Sequence, residues 1–167
     1  LLLATLSAAP ASVADLEHAL DAQPSATRVL TEWCGDHGLA GNGPAQIRAN
    51  VQIDALSLPR DGRKLLGIGR NEPVRFRHVR LACNGSVLSE AYNWYVPSRL
   101  TSDMNAQLLA SDTPFGTVVA PLRFRRVALA SHEGPSSACP AKTVLSRRAL
   151  LRLSDGSGLA LLVECYT

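Results

Sequence analysis

The sequence predicts an α+β domain built on a single antiparallel sheet of about six strands. Helical patterns occur near the start of the chain and once in its middle, whereas short segments of alternating apolar and polar residues make up much of the rest. Most of these segments are joined by turns rich in glycine, asparagine and aspartate, which are typical of hairpins between antiparallel strands. With 167 residues, 46% of them hydrophobic, the chain suffices for one domain with a buried core.

Two helices are expected between Val13 and Gly38, and Ser25 is placed to cap the second one. Asn84-Gly85 is the strongest short hairpin signal in the chain and predicts that the strands on either side of it pair. The connection 56–73 is rich in turn residues and is interpreted as an excursion between strands. The predicted strands are 47–53, 74–83, 87–96, 121–131, 143–154 and 159–166.

The segment from Ala91 to Gly116 combines a strand, a helix and a turn in the middle of the domain. Pro97 ends the strand because it has no N–H group to donate to a neighbouring strand. Thr101 or Ser102 can cap the helix that follows, which carries a short apolar stripe. This arrangement predicts a helical flap that covers an internal pocket.

Seventeen basic and 14 acidic residues give a net charge of +3, and nearly all of the basic residues are arginine. Arginine recognises carboxylate and phosphate groups with two parallel hydrogen bonds, which favours a small anionic ligand. A genome with GC-rich coding explains the same bias. The basic residues are scattered and aromatic residues make up only 5%, so the composition argues against a nucleic-acid partner.

Residues 1–14 are apolar and end in small residues, which resembles the remnant of a secretory signal followed by a single domain over residues 15–167. On this interpretation the protein is exported or periplasmic; otherwise it is cytoplasmic. The alternative is an apolar first helix that packs on the sheet. The apolar run is too short to span a bilayer, so we expect a protein without a transmembrane segment, and a monomer.

Four cysteines are compatible with two disulfides in any of three pairings, or with buried thiols. Cys34 and His37 have the spacing of a pair of metal ligands, but zinc needs three or four ligands and no second pair of this type is present. We therefore expect no metal site.

Two charged residues lie where the strand patterns predict buried positions. Arg77 shares a face with Val79 and Leu81, and Glu164 lies between apolar residues on the last strand. A nearby arginine lowers the pKa of a buried carboxyl group, whereas burial raises it. The two residues either form a structural ion pair or belong to a functional site.

Taken together, these segments resemble the chorismate lyase family, which is also called chorismate pyruvate-lyase, and its relatives of the same fold. The similarity extends from about Ser25 to the end of the chain. No single segment is diagnostic, but their order and spacing are. The segments are SATRVL on the second helix, RHVRLACNG at the first hairpin, VPSRLT before the flap helix, DTPFG after it, and SRRALLRLSDGSGLALLVE at the end.

The resemblance implies a lyase that cleaves chorismate to 4-hydroxybenzoate and pyruvate without a metal or cofactor. Arg77 matches the arginine that holds the ligand carboxylate in this family, and Glu164 matches the glutamate that hydrogen-bonds the oxygen at the far end of the ring. Both are therefore expected to be catalytic. Further substrate-binding positions are expected in the wall and lid of the pocket, at Asn93, Trp94, Phe115 and Gly116.

One position departs from the family pattern, because Asn93 stands about where the lyases carry an arginine. Loss of that cation weakens the case for recognition of a second carboxylate. The alternative function is therefore a non-catalytic binder of small aromatic carboxylates on the same fold.

Overall fold

The computed structural model describes residues 12–167 and shows an α+β domain with a single six-stranded antiparallel sheet. The fold class predicted from the sequence is confirmed. The helices are α1 (Val13–Ala22), α2 (Ala26–Asp36), α3 (Gly62–Leu66), α4 (Ser102–Ala110) and α5 (Phe115–Val119). The strands are β1 (Ile47–Gln52), β2 (Arg75–Cys83), β3 (Ser86–Tyr95), β4 (Arg125–Glu133), β5 (Leu145–Arg152) and β6 (Gly158–Tyr166).

The strands lie in the order β1-β2-β3-β6-β5-β4. Two tight hairpins form the sequence-adjacent pairs β2–β3 and β5–β6. At the first of them, Asn84 and Gly85 both adopt positive φ angles, as a two-residue turn of this type requires. The long connection from β3 to β4 contains α4 and α5, and it carries the chain past β6 and β5 to the far edge of the sheet.

Capping side chains define where the first two helices begin. Ser12 and Asp15 form a reciprocal capping box at the start of α1, and the Ser25 hydroxyl accepts the backbone N–H of Arg28 at the start of α2. Leu20 and Leu30 are among the residues that both helices bury against the sheet. The predicted signal remnant, residues 1–14, ends within the first turn of α1. Residues 1–11 of that segment lie outside the described residues.

The sheet buries a core on both of its faces. The helix face carries Val79, Ala91 and Leu162 and is covered by α1, α2, α4 and α5. The outer face carries Trp94 and Leu161 and is covered by α3 and neighbouring loops. Because successive side chains of a strand point to opposite faces, the neighbours Leu161 and Leu162 belong to different cores.

The boundaries of β4 and the helix α3 differ from the sequence prediction. The predicted strand 121–131 begins later, at Arg125, because Ala120–Leu122 forms a 3-10 turn and Arg123 has a φ of 51°. The connection 56–73, which was predicted to consist of turns, contains α3. This helix packs on β6 at Gly158, where the absence of a side chain leaves room. A Cβ atom added to Gly158 would lie 2.7 Å from the Cα atom of Leu66.

Two disulfides join Cys34 to Cys83 and Cys139 to Cys165, which selects one of the three possible pairings and leaves Cys34 unavailable as a metal ligand beside His37. The Cα atoms of the pairs are 6.2 and 5.5 Å apart, within the range that a disulfide spans. The first bond ties α2 to the end of β2. Within residues 12–167, no helix is both long and apolar enough to cross a membrane.

Candidate functional site

A small cavity lies on the helix face, between the sheet, the first turn of α2 and the first turn of α5. Its volume is about 40 Å³, which is room for a few water molecules. Most of its walls are apolar, with a few polar side chains among them. The residues of the sheet that line it are Val79, Leu81, Ala91, Asn93, Arg126, Leu151, Leu162 and Glu164, and those outside the strands are Pro24, Ser25, Ala26, Thr27, Pro114, Phe115, Gly116 and Phe124.

Glu164 forms a buried ion pair with Arg126 in the cavity wall. Arg126 donates Nη1 to Oε1 of Glu164 over 3.1 Å and Nη2 to Oε2, and the two side chains are 8% and 7% exposed. The hydroxyl of Tyr166 also donates to Oε2, over 3.1 Å. Glu164 is thus held as an acceptor by three donors. The ion pair considered from the sequence, between Arg77 and Glu164, is not formed.

The Glu164 carboxylate raises the pKa of both of its neighbours, Arg126 and Tyr166. Burial acts to lower the pKa of Arg126, but the Glu164 carboxylate outweighs that effect and holds it above its ordinary value. Burial, together with the negative charge of Glu164, raises the pKa of Tyr166 well above its ordinary value. Tyr166 therefore stays protonated as a donor, and Arg126 stays cationic.

Asn93 supplies a second polar group to the cavity. It lies on the helix face of β3 and is only 4% exposed, yet its amide makes no hydrogen bond within the described part of the chain. The amide offers one acceptor and two donors. Asn93 is therefore suited to receive a hydrogen-bonding group in the cavity.

Arg77 lies beside Asn93 in the sheet register but holds the flap connection rather than lining the cavity. It is 5% exposed, and its Nη2 donates to the carbonyl oxygens of Ser111 and Thr113 over 3.1 and 3.0 Å. Its Nε and Nη1 atoms are buried and have no hydrogen-bond partner among the described residues. Burial lowers the pKa of Arg77 from its ordinary value.

The structure divides the other sequence-based candidates between two places. Phe115 and Gly116 lie in the cavity wall, where α5 meets α2. A Cβ atom on Gly116 would lie 3.3 Å from the hydroxyl oxygen of Thr27, so the two helices approach closely there. Trp94 lies on the outer face, where its Nε1 donates to the carbonyl oxygen of Leu56. Its side chain is therefore separated from the cavity by the sheet.

Two contacts tie the connection between α4 and α5 to β1. The Asp112 carboxylate accepts a hydrogen bond from Nη1 of Arg48 over 2.5 Å, and the Asp112 carbonyl accepts one from the N–H of Ala49 over 2.7 Å. Together with Arg77, these contacts hold the first turn of α5 over the cavity. The flap predicted from the sequence thus covers the site through α5, while α4 packs behind it.

Arg126 is a residue of the cavity wall that the sequence did not predict. The sequence contains a signal for it. On one face of the predicted strand, Arg126 is the one charged residue among the apolar residues Phe124, Ala128 and Ala130. The predicted strand, however, gave no reason to connect it with Glu164, which lies 38 residues further along the chain.

The fold is similar to that of several solved effector and ligand-binding domains. The effector domain of PhnF from Mycobacterium smegmatis matches with a TM-score of 0.60 and 11% identity, over 86% of this chain and 88% of that domain. The ligand-binding domain of a putative GntR-family regulator from Bordetella bronchiseptica matches with a TM-score of 0.54 and 14% identity, over 73% of this chain and 83% of that one.

The possible transcriptional regulator YydK from Bacillus subtilis matches with a TM-score of 0.51 and 15% identity, over 72% of this chain. This chain spans only 58% of YydK. Identities this low show a common fold alone. Because the matched proteins are regulators, the absence of a nucleic-acid partner stays a prediction from the sequence.

No protein-family model matches the chain. The uncharacterized protein y4mC of Sinorhizobium fredii (strain NBRC 101917 / NGR234) is 40% identical over 161 residues, a match that covers 86% of this chain and 68% of that protein. The chain therefore belongs to the same family as y4mC.

Proposed function

We propose that this chain is a ligand-binding domain that takes a small aromatic carboxylate into the cavity between α2, α5 and the sheet. The observation that carries the proposal is the buried Asn93 amide, which faces the cavity without a hydrogen-bond partner in the described chain. The fold it shares with effector and ligand-binding domains of regulators supports binding as the role of such a cavity.

The chemistry of the walls favours this class of ligand. Val79, Leu162 and Phe115 offer apolar surface to an aromatic ring, as in most small-molecule sites. The first turn of α2 lines the same cavity, and the N–H groups of a helix N-terminus attract anions. The Asn93 amide adds two donors for a carboxylate.

Binding of an aromatic ring requires the cavity to widen, because about 40 Å³ holds only a few water molecules. The first turn of α5 is held over the cavity by polar contacts of Arg48 and Arg77 with the connection that precedes it. We propose that ligand entry proceeds by displacement of this segment from α2.

Elimination of pyruvate from chorismate is the second candidate function. It is favoured by Arg77, whose Nε and Nη1 are buried on the helix face and have no hydrogen-bond partner among residues 12–167, as a carboxylate-binding arginine requires. Such a lyase depends on positioning of a dianionic substrate and on polarisation of the departing ether oxygen. The ion pair with Arg126 argues against it, because the Glu164 oxygens already accept hydrogen bonds from three donors of the protein.

Two measurements on the purified protein separate these functions. We expect 4-hydroxybenzoate to raise the melting temperature by roughly 5–10 °C at 100 times its dissociation constant, since this concentration stabilises the native state by about 2.7 kcal/mol. We expect no release of pyruvate from chorismate in a lactate dehydrogenase-coupled assay. Pyruvate release that is lost in both Arg77→Ala and Glu164→Ala would establish the lyase instead.

Asn93→Leu and Asn50→Leu form a matched pair of variants for the binding experiment. Asn93 lies in the cavity wall, whereas Asn50 is exposed on β1. The shift with 4-hydroxybenzoate should disappear in Asn93→Leu and persist in Asn50→Leu. An equal shift in both variants would place the ligand elsewhere and reject the proposed site.

A further inference from the structure

A second concave site lies outside the cavity, between the C-terminal end of α1 and the strands β4 and β5. This outer groove has a volume of about 190 Å³. Its walls include the three arginines Arg125, Arg126 and Arg147, together with Asp21 as the single carboxylate of the lining. Pro24 and Arg126 line both the groove and the cavity, so these two residues stand between them.

Two of these arginines are fixed in place by buried contacts. Arg147 has a side chain only 4% exposed, and its Nη2 donates to Oδ1 of Asp21 over 2.5 Å. Its Nη1 lies 3.5 Å from the carbonyl oxygen of Glu17. Arg126 gives both of its Nη atoms to Glu164. The fold therefore holds two guanidinium groups rigidly at the base of the groove.

The groove keeps positive charge and donors beyond those the protein itself uses. Arg125 is exposed and forms no ion pair or side-chain hydrogen bond within residues 12–167. The Nε–H groups of Arg126 and Arg147 likewise make no hydrogen bond in that part of the chain. Asp21 is 59% exposed, and its carboxylate is paired with Arg147.

We propose that the outer groove binds the oxyanion group of a small molecule, a phosphate or a carboxylate, with Arg125 as the principal contact. Guanidinium groups recognise such oxyanions through directed, charge-assisted hydrogen bonds. Arg126 and Arg147 line the groove beside Arg125. The carbonyl groups at the C-terminal end of α1 carry partial negative charge, which repels an anion. We therefore expect weak binding. This proposal is independent of the ligand proposed for the cavity.

NMR of the Nε–H signals of arginine tests the groove directly. The wild-type protein is titrated with inorganic phosphate and, separately, with acetate, while sodium chloride keeps the ionic strength constant. We expect at least one of the two anions to shift the signals of Arg125, Arg126 and Arg147 in a saturable manner. A response to phosphate alone assigns a phosphate group, a response to acetate alone assigns a carboxylate, and a response to both assigns a general oxyanion site. A response to neither overturns the proposal.

Three variants distinguish a specific site from a general charge effect. Arg125→Gln should weaken anion binding about tenfold, since a charge-assisted hydrogen bond is worth about 1.5 kcal/mol. Arg123→Gln is the matched control, because Arg123 is exposed two residues away and does not line the groove. Ala128→Glu, which adds a carboxylate to the wall, should abolish binding. Equal affinities in Arg125→Gln and Arg123→Gln would overturn the proposal.

Asn93→Leu separates this site from the cavity, because Asn93 does not line the groove. The variant should retain the anion response of the groove. If the anion response is lost in Asn93→Leu and kept in Arg125→Gln, the anion binds in the cavity and the groove proposal is wrong, whereas the cavity proposal stands.

Discussion

Removal of one partner from the buried Arg126–Glu164 pair is expected to destabilise the protein strongly. The side chains are 8% and 7% exposed, so Glu164→Gln leaves the Arg126 guanidinium charged with little solvent around it. Breaking a buried pair in this way costs roughly 3–5 kcal/mol. For a domain of 167 residues, 1 kcal/mol corresponds to about 2–4 °C, so the melting temperature should fall by roughly 6–20 °C. Arg126→Met should have a similar effect because it leaves the Glu164 carboxylate unpaired.

The double variant Arg126→Met/Glu164→Gln should recover most of the lost stability. It removes both charges and keeps a side-chain oxygen that accepts the Tyr166 hydroxyl. The exposed pair Arg28–Glu32 is the control, since its side chains are 72% and 49% exposed and such pairs contribute about 0.2–1 kcal/mol. Thermal denaturation and urea unfolding measure all of these variants. The reasoning would be refuted if the stability loss of the double variant equalled the sum of the two single losses. It would also be refuted if each single variant lost no more stability than a variant of the control pair.

Three further predictions concern stability. Cys139→Ala/Cys165→Ala opens a loop of 26 residues and should lower the free energy of unfolding by about 3 kcal/mol in urea titrations. Gly158→Ala forces a Cβ atom into the backbone of α3 and should cost about 1–3 kcal/mol, measured by thermal denaturation. The Arg148 hydrogen bonds hold the pKa of Asp61 below its ordinary value of 3.8, so their stabilisation is present above pH 3.8 and is lost as the pH falls through the lowered value. Asp61→Asn should remove this part of the acid dependence of the melting temperature.

Local signals in the sequence were sufficient for most of the fold. The alternation of apolar residues located six strands, and Asn84-Gly85 located the first hairpin, because both depend on residues close together in the chain. The start of β4 was placed too early, since the 3-10 turn at Ala120–Leu122 continues an apolar pattern that alternation alone does not distinguish from a strand. The helix α3 was missed because its five residues are too short for a helical period to show.

The candidate site could be predicted only in part. The patterns predicted that Arg77 and Glu164 would be buried, and both are. Which partner each one meets depends on packing between distant segments. Arg126 reaches Glu164 from β4, and Arg77 turns to the carbonyl oxygens of the flap connection. Trp94 was predicted for the site together with Asn93, although adjacent residues of a strand point to opposite faces and only Asn93 lines the cavity.

The alternation of faces along β6 provides the most direct test of ligand binding in the cavity. Leu162 lines the cavity, whereas Leu161 belongs to the outer core. The measurement is methyl NMR of the protein titrated with 4-hydroxybenzoate. We expect the signals of Leu162 and Val79 to shift in a saturable manner while those of Leu161 stay in place. Shifts centred on Leu161, or no saturable shift on the helix face, would contradict the proposed function.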